Sequence, residues 1–140
     1  FFRDVATLKS ILHSCDAVVS GSCALHVLLP ANETSWLPSD LDLYVSYRHL
    51  ACLSVLLEHK GYAIVCQRTV DAGPYGSSSI HAVVSFANGC HSIDVIVSST
   101  VAAVSPIFEF HSTAMMNFIS ADHIYCAYPS LTLQEMSLVN

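Results

Sequence analysis

The chain has 140 residues, enough for one domain with a sizeable core; 53% are hydrophobic and only 11% charged. A net charge of −6 with five Lys plus Arg excludes a chain that grips long RNA or DNA by itself. Such binding draws most of its affinity from cations that neutralise phosphates.

No apolar run approaches the ~20 residues of a transmembrane helix, so no membrane span is expected. The start, Phe1-Phe2-Arg3-Asp4, has neither a methionine nor a signal-peptide pattern, and reads as a piece of a longer protein. A surface this apolar is expected to meet a further domain or a second copy.

In chain order, Val5, Leu8, Ile11 and Leu12 recur at helical spacing and predict a leading helix over 2–13. Asp4 and Asp16 flank it as capping residues. Ala17-Val18-Val19 is β-branched and apolar, a buried strand, and Gly21 permits the tight turn that ends it. Ser22 then reads as the N-cap of a helix over 23–29 that Pro30 stops. A strand feeding a Gly-Ser turn at a helix start offers free N–H groups and a positive dipole end, a setting that suits phosphate. Residues 31–39 form a long loop in which Trp36 is expected to pack.

Asp40-Leu41-Asp42-Leu43-Tyr44-Val45 alternates as a strand with one wet and one dry face. Leu41, Leu43 and Val45 point one way; Asp40 and Asp42 point the other. Two carboxylates about 4 Å apart repel by roughly 4 kcal/mol at an effective dielectric near 20. The pair calls for a cation, a shared proton or open water, and Mg²⁺ takes carboxylates together with substrate phosphates.

A second helix over 47–60 carries the stripe Leu50, Leu53, Leu56 and Leu57 and ends at Gly61. A strand over 62–66 follows, with Arg68 beyond it as a cation able to approach phosphates or to stay solvated. The loop over 71–79 is Gly- and Ser-rich but lacks the Gly-Lys-Ser/Thr ending of a P-loop, and Asp71-Ala72-Gly73 is not the Asp-Thr-Gly of an aspartic protease. Asn88-Gly89 predicts a hairpin with arms over 81–86 and 92–97. Asp94 is the lone charge in the second arm, so it is expected to be paired, protonated or metal-bound. Beyond it, the pattern predicts a helical turn over 99–104, a helix over 112–119 capped by Ser112, a strand over 123–128 and a helix over 131–139.

The ordered set of Gly21-Ser22, Asp40-Leu41-Asp42-Leu43 and a later lone Asp94 resembles the nucleotidyltransferase superfamily of the DNA polymerase β type, over residues 5–97 or so. The resemblance implies an α/β (α+β) fold, a small mixed sheet flanked by helices in a single domain. It implies transfer of a nucleoside monophosphate from a nucleoside triphosphate such as ATP to an acceptor hydroxyl. Asp40, Asp42 and Asp94 would be the catalytic and metal-holding residues, with Mg²⁺ or Mn²⁺ as cofactor. Gly21, Ser22, Ser112 and Asn117 would hold the nucleotide, His111 being a further candidate. The charge balance favours a small-molecule or protein acceptor.

Alternatives remain. The same fold could serve as a catalytically silent nucleotide- or protein-binding module. A haloacid-dehalogenase phosphatase would place Gly and Thr after the second Asp, where Leu43 and Tyr44 stand; a nucleotide-sugar glycosyltransferase usually needs a longer chain. A purely structural role is the fourth. Six scattered cysteines without Cys-x-x-Cys, and eight histidines without ligand spacing, speak against zinc and for a reducing, cytoplasmic setting. There the Asn32-Glu33-Thr34 sequon would go unused.

Overall fold

The computed structural model describes residues 1–31, 34–70 and 78–139. The sequon asparagine and most of the 71–79 loop lie outside the described residues. The leading helix is α1, Val5–Cys15, shifted slightly forward because Asp4 caps it, accepting from the Thr7 N–H at 2.7 Å. Asp16 ends it in the left-handed conformation, φ 48°, with its N–H returned to Leu12. Ile11, Leu12 and Cys15 form its buried face.

Strand β1 is Val18–Ser20, followed at once by α2, Gly21–Leu28. The acidic strand is β2, Asp40–Ser46, and the leucine-striped helix is α3, Leu50–His59. Strands β3, Ala63–Thr69, β4, Ile80–Ala87, and β5, Ser92–Ser98, follow. The β4–β5 turn is the expected hairpin. Gly89 supplies φ 84°, and the Asn88 side-chain oxygen accepts from Cys90 and His91 N–H at 3.1 and 2.9 Å.

The last part departs from the sequence expectations. The helical turn comes later than 99–104, as a 3₁₀ segment Ser105–Glu109 with Pro106 inside its first turn, where no N–H is needed. The helix expected over 112–119 is a 3₁₀ turn, Thr113–Met115, and then strand β6, Asn117–Ile119. Ser112 does cap that turn, accepting from Ala114 N–H at 3.3 Å. The Asn117 amide, however, closes onto the Ala114 carbonyl at 2.6 Å and stops it. Phe118 and Ile119 then pair with β7, Ile124–Cys126. The helix expected over 131–139 is only α4, Pro129–Thr132, after which Val139 pairs with Ser112.

These elements make the mixed α/β fold read from the sequence: one seven-stranded sheet in the order β3-β4-β5-β2-β1-β6-β7. Only β2 and β5 run parallel; the other neighbours are antiparallel. One face is sealed. Leu41, Leu43, Val45, Ile93, Val95 and Phe86 pack beneath Ile11 and Leu12 of α1 and Leu53 and Leu57 of α3. On the other face a smaller cluster gathers Val18, Tyr44, Ile96 and Ile107. Among the described residues no helix is long and apolar enough to cross a membrane.

Candidate functional site

The register of four strands builds the site. Ser20 of β1 lies opposite Asp42 of β2, Asp42 beside Asp94 of β5, and Asp94 opposite Ser85 of β4. Side chains alternate along each strand, so this polar row falls on the face away from Leu41 and Leu43. Asp40 sits two residues earlier on the same side. One carboxylate oxygen from each of Asp40, Asp42 and Asp94 lies within 4.8 Å of the others. The structure therefore brings the three sequence-predicted acids together, each half-buried.

The cluster is electrostatically uncomfortable. Burial, followed by the charges of Asp40 and Asp94, pushes the Asp42 carboxyl up to about 6 from an ordinary 3.8. Hydroxyls orient its neighbours: Ser85 donates to Asp94 Oδ1 at 2.6 Å, and Ser39 donates to Asp40 Oδ1 at 3.1 Å. Cys23 donates its S–H to the Asp40 carbonyl at 3.3 Å. Burial, then Asp42 and Asp40, push that thiol up to about 11, which disfavours its thiolate near neutral pH.

The donor set is all carboxylate oxygen, which suits a hard divalent ion such as Mg²⁺ or Mn²⁺. Two ligands on one Mg²⁺ are at most about 4.2 Å apart. The present spread is thus within a small side-chain rotation of closing on one ion.

Gly21 fits against this cluster in a way no other residue can. Its φ is +67°, and a Cβ there would lie 2.0 Å from Asp42 Oδ2. Helix α2 therefore begins directly against the Asp42 carboxylate, with its first N–H groups unpaired by helix bonds.

This corrects one expectation. Ser22 is not the N-cap: the helix starts at Gly21, Ser20 occupies the cap position, and the Ser22 hydroxyl is buried without a partner. The positive φ of Gly21 turns the chain into the helix two residues early. Ser20 instead donates its hydroxyl to the Asn117 carbonyl at 2.5 Å, tying β6 to the end of β1.

Of the two later candidates, Asn117 is tied to Ser20 through its carbonyl, whereas Ser112 lies at the start of the 3₁₀ turn and pairs with Val139. Asn117 is 1% exposed and spends its amide on Ala114, so it positions the turn. Ser112 spends its hydroxyl on capping. Arg68 lies on β3, with β4 between it and Asp94's strand. Ser85 and Ser20 were missed from sequence. Ser85 was accessible in principle, because counting back from the Asn88-Gly89 turn sets it opposite Asp94.

A cavity of about 800 Å³ lies elsewhere, against Phe1, Arg3, His59, Lys60 and His91, and none of the three carboxylates lines it. No protein-family model matches the chain, and no curated protein matches it.

Proposed function

We propose that the chain is a nucleotidyltransferase domain of the polymerase β type. It would take a nucleoside triphosphate and pass the nucleoside monophosphate to an acceptor hydroxyl. The observation that carries this reading is the in-register meeting of Asp42 and Asp94 on parallel strands, with Asp40 beside them and the glycine start of α2 pressed against Asp42.

Asp40, Asp42 and Asp94 are the residues that would hold a divalent ion, which when bound supplies charge neutralisation for the phosphates and the reacting oxygens. The chain's own residues do the rest. The N–H groups at the start of α2 bind phosphate oxygens, aided by the helix dipole. Ser85 donates to Asp94 Oδ1 and so fixes the orientation of that carboxylate. The Asp94 carboxylate is the candidate to accept the proton of the attacking hydroxyl. The new bond joins the acceptor oxygen to the α-phosphorus, the α–β bridging bond breaks, and pyrophosphate leaves.

The test is incubation with labelled nucleoside triphosphates, Mg²⁺ and a panel of small-molecule and protein acceptors. Transfer by the wild type that disappears in Asp42→Asn supports the reading. Calorimetry that finds equal Mg²⁺–nucleotide binding by the wild type and the Asp40→Asn/Asp42→Asn variant overturns it. Nucleotide binding that needs both acids, without transfer to any acceptor, leaves the silent binding module as the better description.

A further inference from the structure

Two thiols meet on the dry side of the sheet. Cys15, the last residue of α1, is 0% exposed and belongs to the main core cluster. Cys52 lies in the first turn of α3 and is exposed. The Cys15 S–H donates to Cys52 Sγ at 3.5 Å, and neither cysteine is in a disulfide. Bonded sulfurs lie about 2.0 Å apart, so a shortening of roughly 1.5 Å separates this pair from a bond.

The two members differ in what they meet first. Burial, and then the Cys52 sulfur beside it, push the Cys15 thiol up to about 12, so it stays protonated near neutral pH. Solvent does not reach it. Cys52 is the member that a dissolved oxidant meets, and Cys15 is reached only through Cys52. An exposed thiol with a second thiol at its back is the arrangement of a sensing cysteine and its resolving partner. The other four cysteines stand elsewhere: Cys23 on α2, Cys66 on β3, Cys90 in the β4–β5 turn and Cys126 on β7.

We propose that Cys15 and Cys52 are a peroxide-responsive dithiol whose closure to a disulfide clamps α1 to α3. Cys52 gives up its proton, its sulfur attacks one oxygen of hydrogen peroxide, and the O–O bond breaks. The departing hydroxide takes a proton and leaves as water, and Cys52 is now a sulfenic acid. The Cys15 sulfur attacks that sulfur, the S–O bond breaks, and the Cys15 proton leaves with the hydroxide as a second water. Two thiols have given two electrons to one peroxide. The cysteines are 37 residues apart in the chain. The loop that the bond closes contains β1, α2 and β2, and with them Gly21, Asp40 and Asp42. The bond itself lies on the face of the sheet opposite the acids. Closing such a loop constrains the unfolded chain, so the oxidised form is the more stable one. Under reducing conditions thiol exchange undoes the bond, which makes it a switch and not a permanent staple. None of this rests on the nucleotide reading above.

The fully reduced chain, freed of reductant, is treated with a small excess of hydrogen peroxide. Its intact mass should fall by two hydrogens, and peptide mapping after alkylation should join the Cys15 and Cys52 peptides. The melting temperature should rise by at least about 5 °C and return on adding dithiothreitol. Cys52→Ser, a change to the exposed member, should melt like the reduced wild type and show neither the mass loss nor the rise. Cys15→Ala should instead accumulate a Cys52 sulfenic acid that dimedone traps; where that core variant does not fold, Cys52→Ser still decides. Full alkylation of both thiols after peroxide, a bond that joins other cysteines instead, or a rise that survives in Cys52→Ser would each overturn the proposal. So would a Cys15–Cys52 disulfide that leaves the melt unchanged, because it would clamp nothing.

Discussion

On one face of the β2–β5 pair, Leu41, Leu43, Ile93 and Val95 are sealed beneath α1 and α3. On the other, one residue along each strand, Asp40, Asp42 and Asp94 crowd within 4.8 Å. The backbone is shared, so the difference lies entirely in the side chains. The dry face supplies cohesion through close packing and loss of water contact. The acidic face costs stability, and holds its shape because the dry face leaves the strands no other register: a one-residue slip would bury the carboxylates and expose the leucines. Rigidity on one side is what allows repulsion to be stored on the other.

The sharpest way to break this contrast is to open the dry face. Leu43 and Phe86 are both 0% exposed; Leu43→Ala or Phe86→Ala should cost about 3–5 kcal/mol, read as a lowered denaturant midpoint. A loss below about 1 kcal/mol would mean that the sheet is not held from that side.

Next in size is Gly21→Ala, which puts a methyl where Asp42 Oδ2 stands and forces a side chain into positive φ. The backbone part alone is roughly 1–2 kcal/mol. Mn²⁺ binding followed by electron paramagnetic resonance should weaken more than about tenfold, an energy near 1.4 kcal/mol. Unchanged Mn²⁺ binding would separate the glycine turn from the acidic cluster.

Asp42→Asn should do the reverse of a core mutation and stabilise the metal-free protein near neutral pH, by about 3 °C in melting temperature. The sign follows from the raised carboxyl. Asp42 releases its proton near 6 in the folded chain and near 3.8 when unfolded. The folded state thus holds the proton more tightly, and the destabilising charge is fully present above 6. It fades as pH falls through 6 and is gone below about 3.8. The advantage of the variant over the wild type should therefore vanish by pH 4, and excess Mg²⁺ should reverse it at pH 7.5. A melting advantage that does not change with pH would sink this account of the cluster.

The smallest effect belongs to Ser85→Ala. One hydrogen bond to Asp94 is lost, about 0.5–1.5 kcal/mol; Mn²⁺ affinity should fall a few-fold with little change in melting. A larger stability loss than that would make Ser85 part of the core and not of the site.

Much of this was readable from local pattern. The alternation in 40–45, the Asn88-Gly89 turn and the leucine stripe of α3 each determine their own element, and together they fix which side the acids face. The pairing of Asp42 with Asp94 was expected but not dictated, because register between β2 and β5 is set by packing across the whole sheet. The segment after residue 98 was the least legible. Met115-Met116-Asn117-Phe118-Ile119 satisfies a helix or a strand equally on local grounds. What decides it is the Ala114 carbonyl taken by Asn117 and the edge that β1 offers to Ile119. Ser22 was misplaced because the glycine signals a tight turn without saying whether the helix starts at that turn or one residue after Ser22.

Asp42 and Asp94 come from strands joined by a long crossover through α3, β3 and β4. Neither carboxylate meets the other until that distant pairing is complete, and pairing of this kind closes slowly. A divalent ion in the refolding buffer would consequently find nothing to bind in early intermediates. It would act late, by slowing the unfolding of a finished chain and leaving the speed of its formation unchanged.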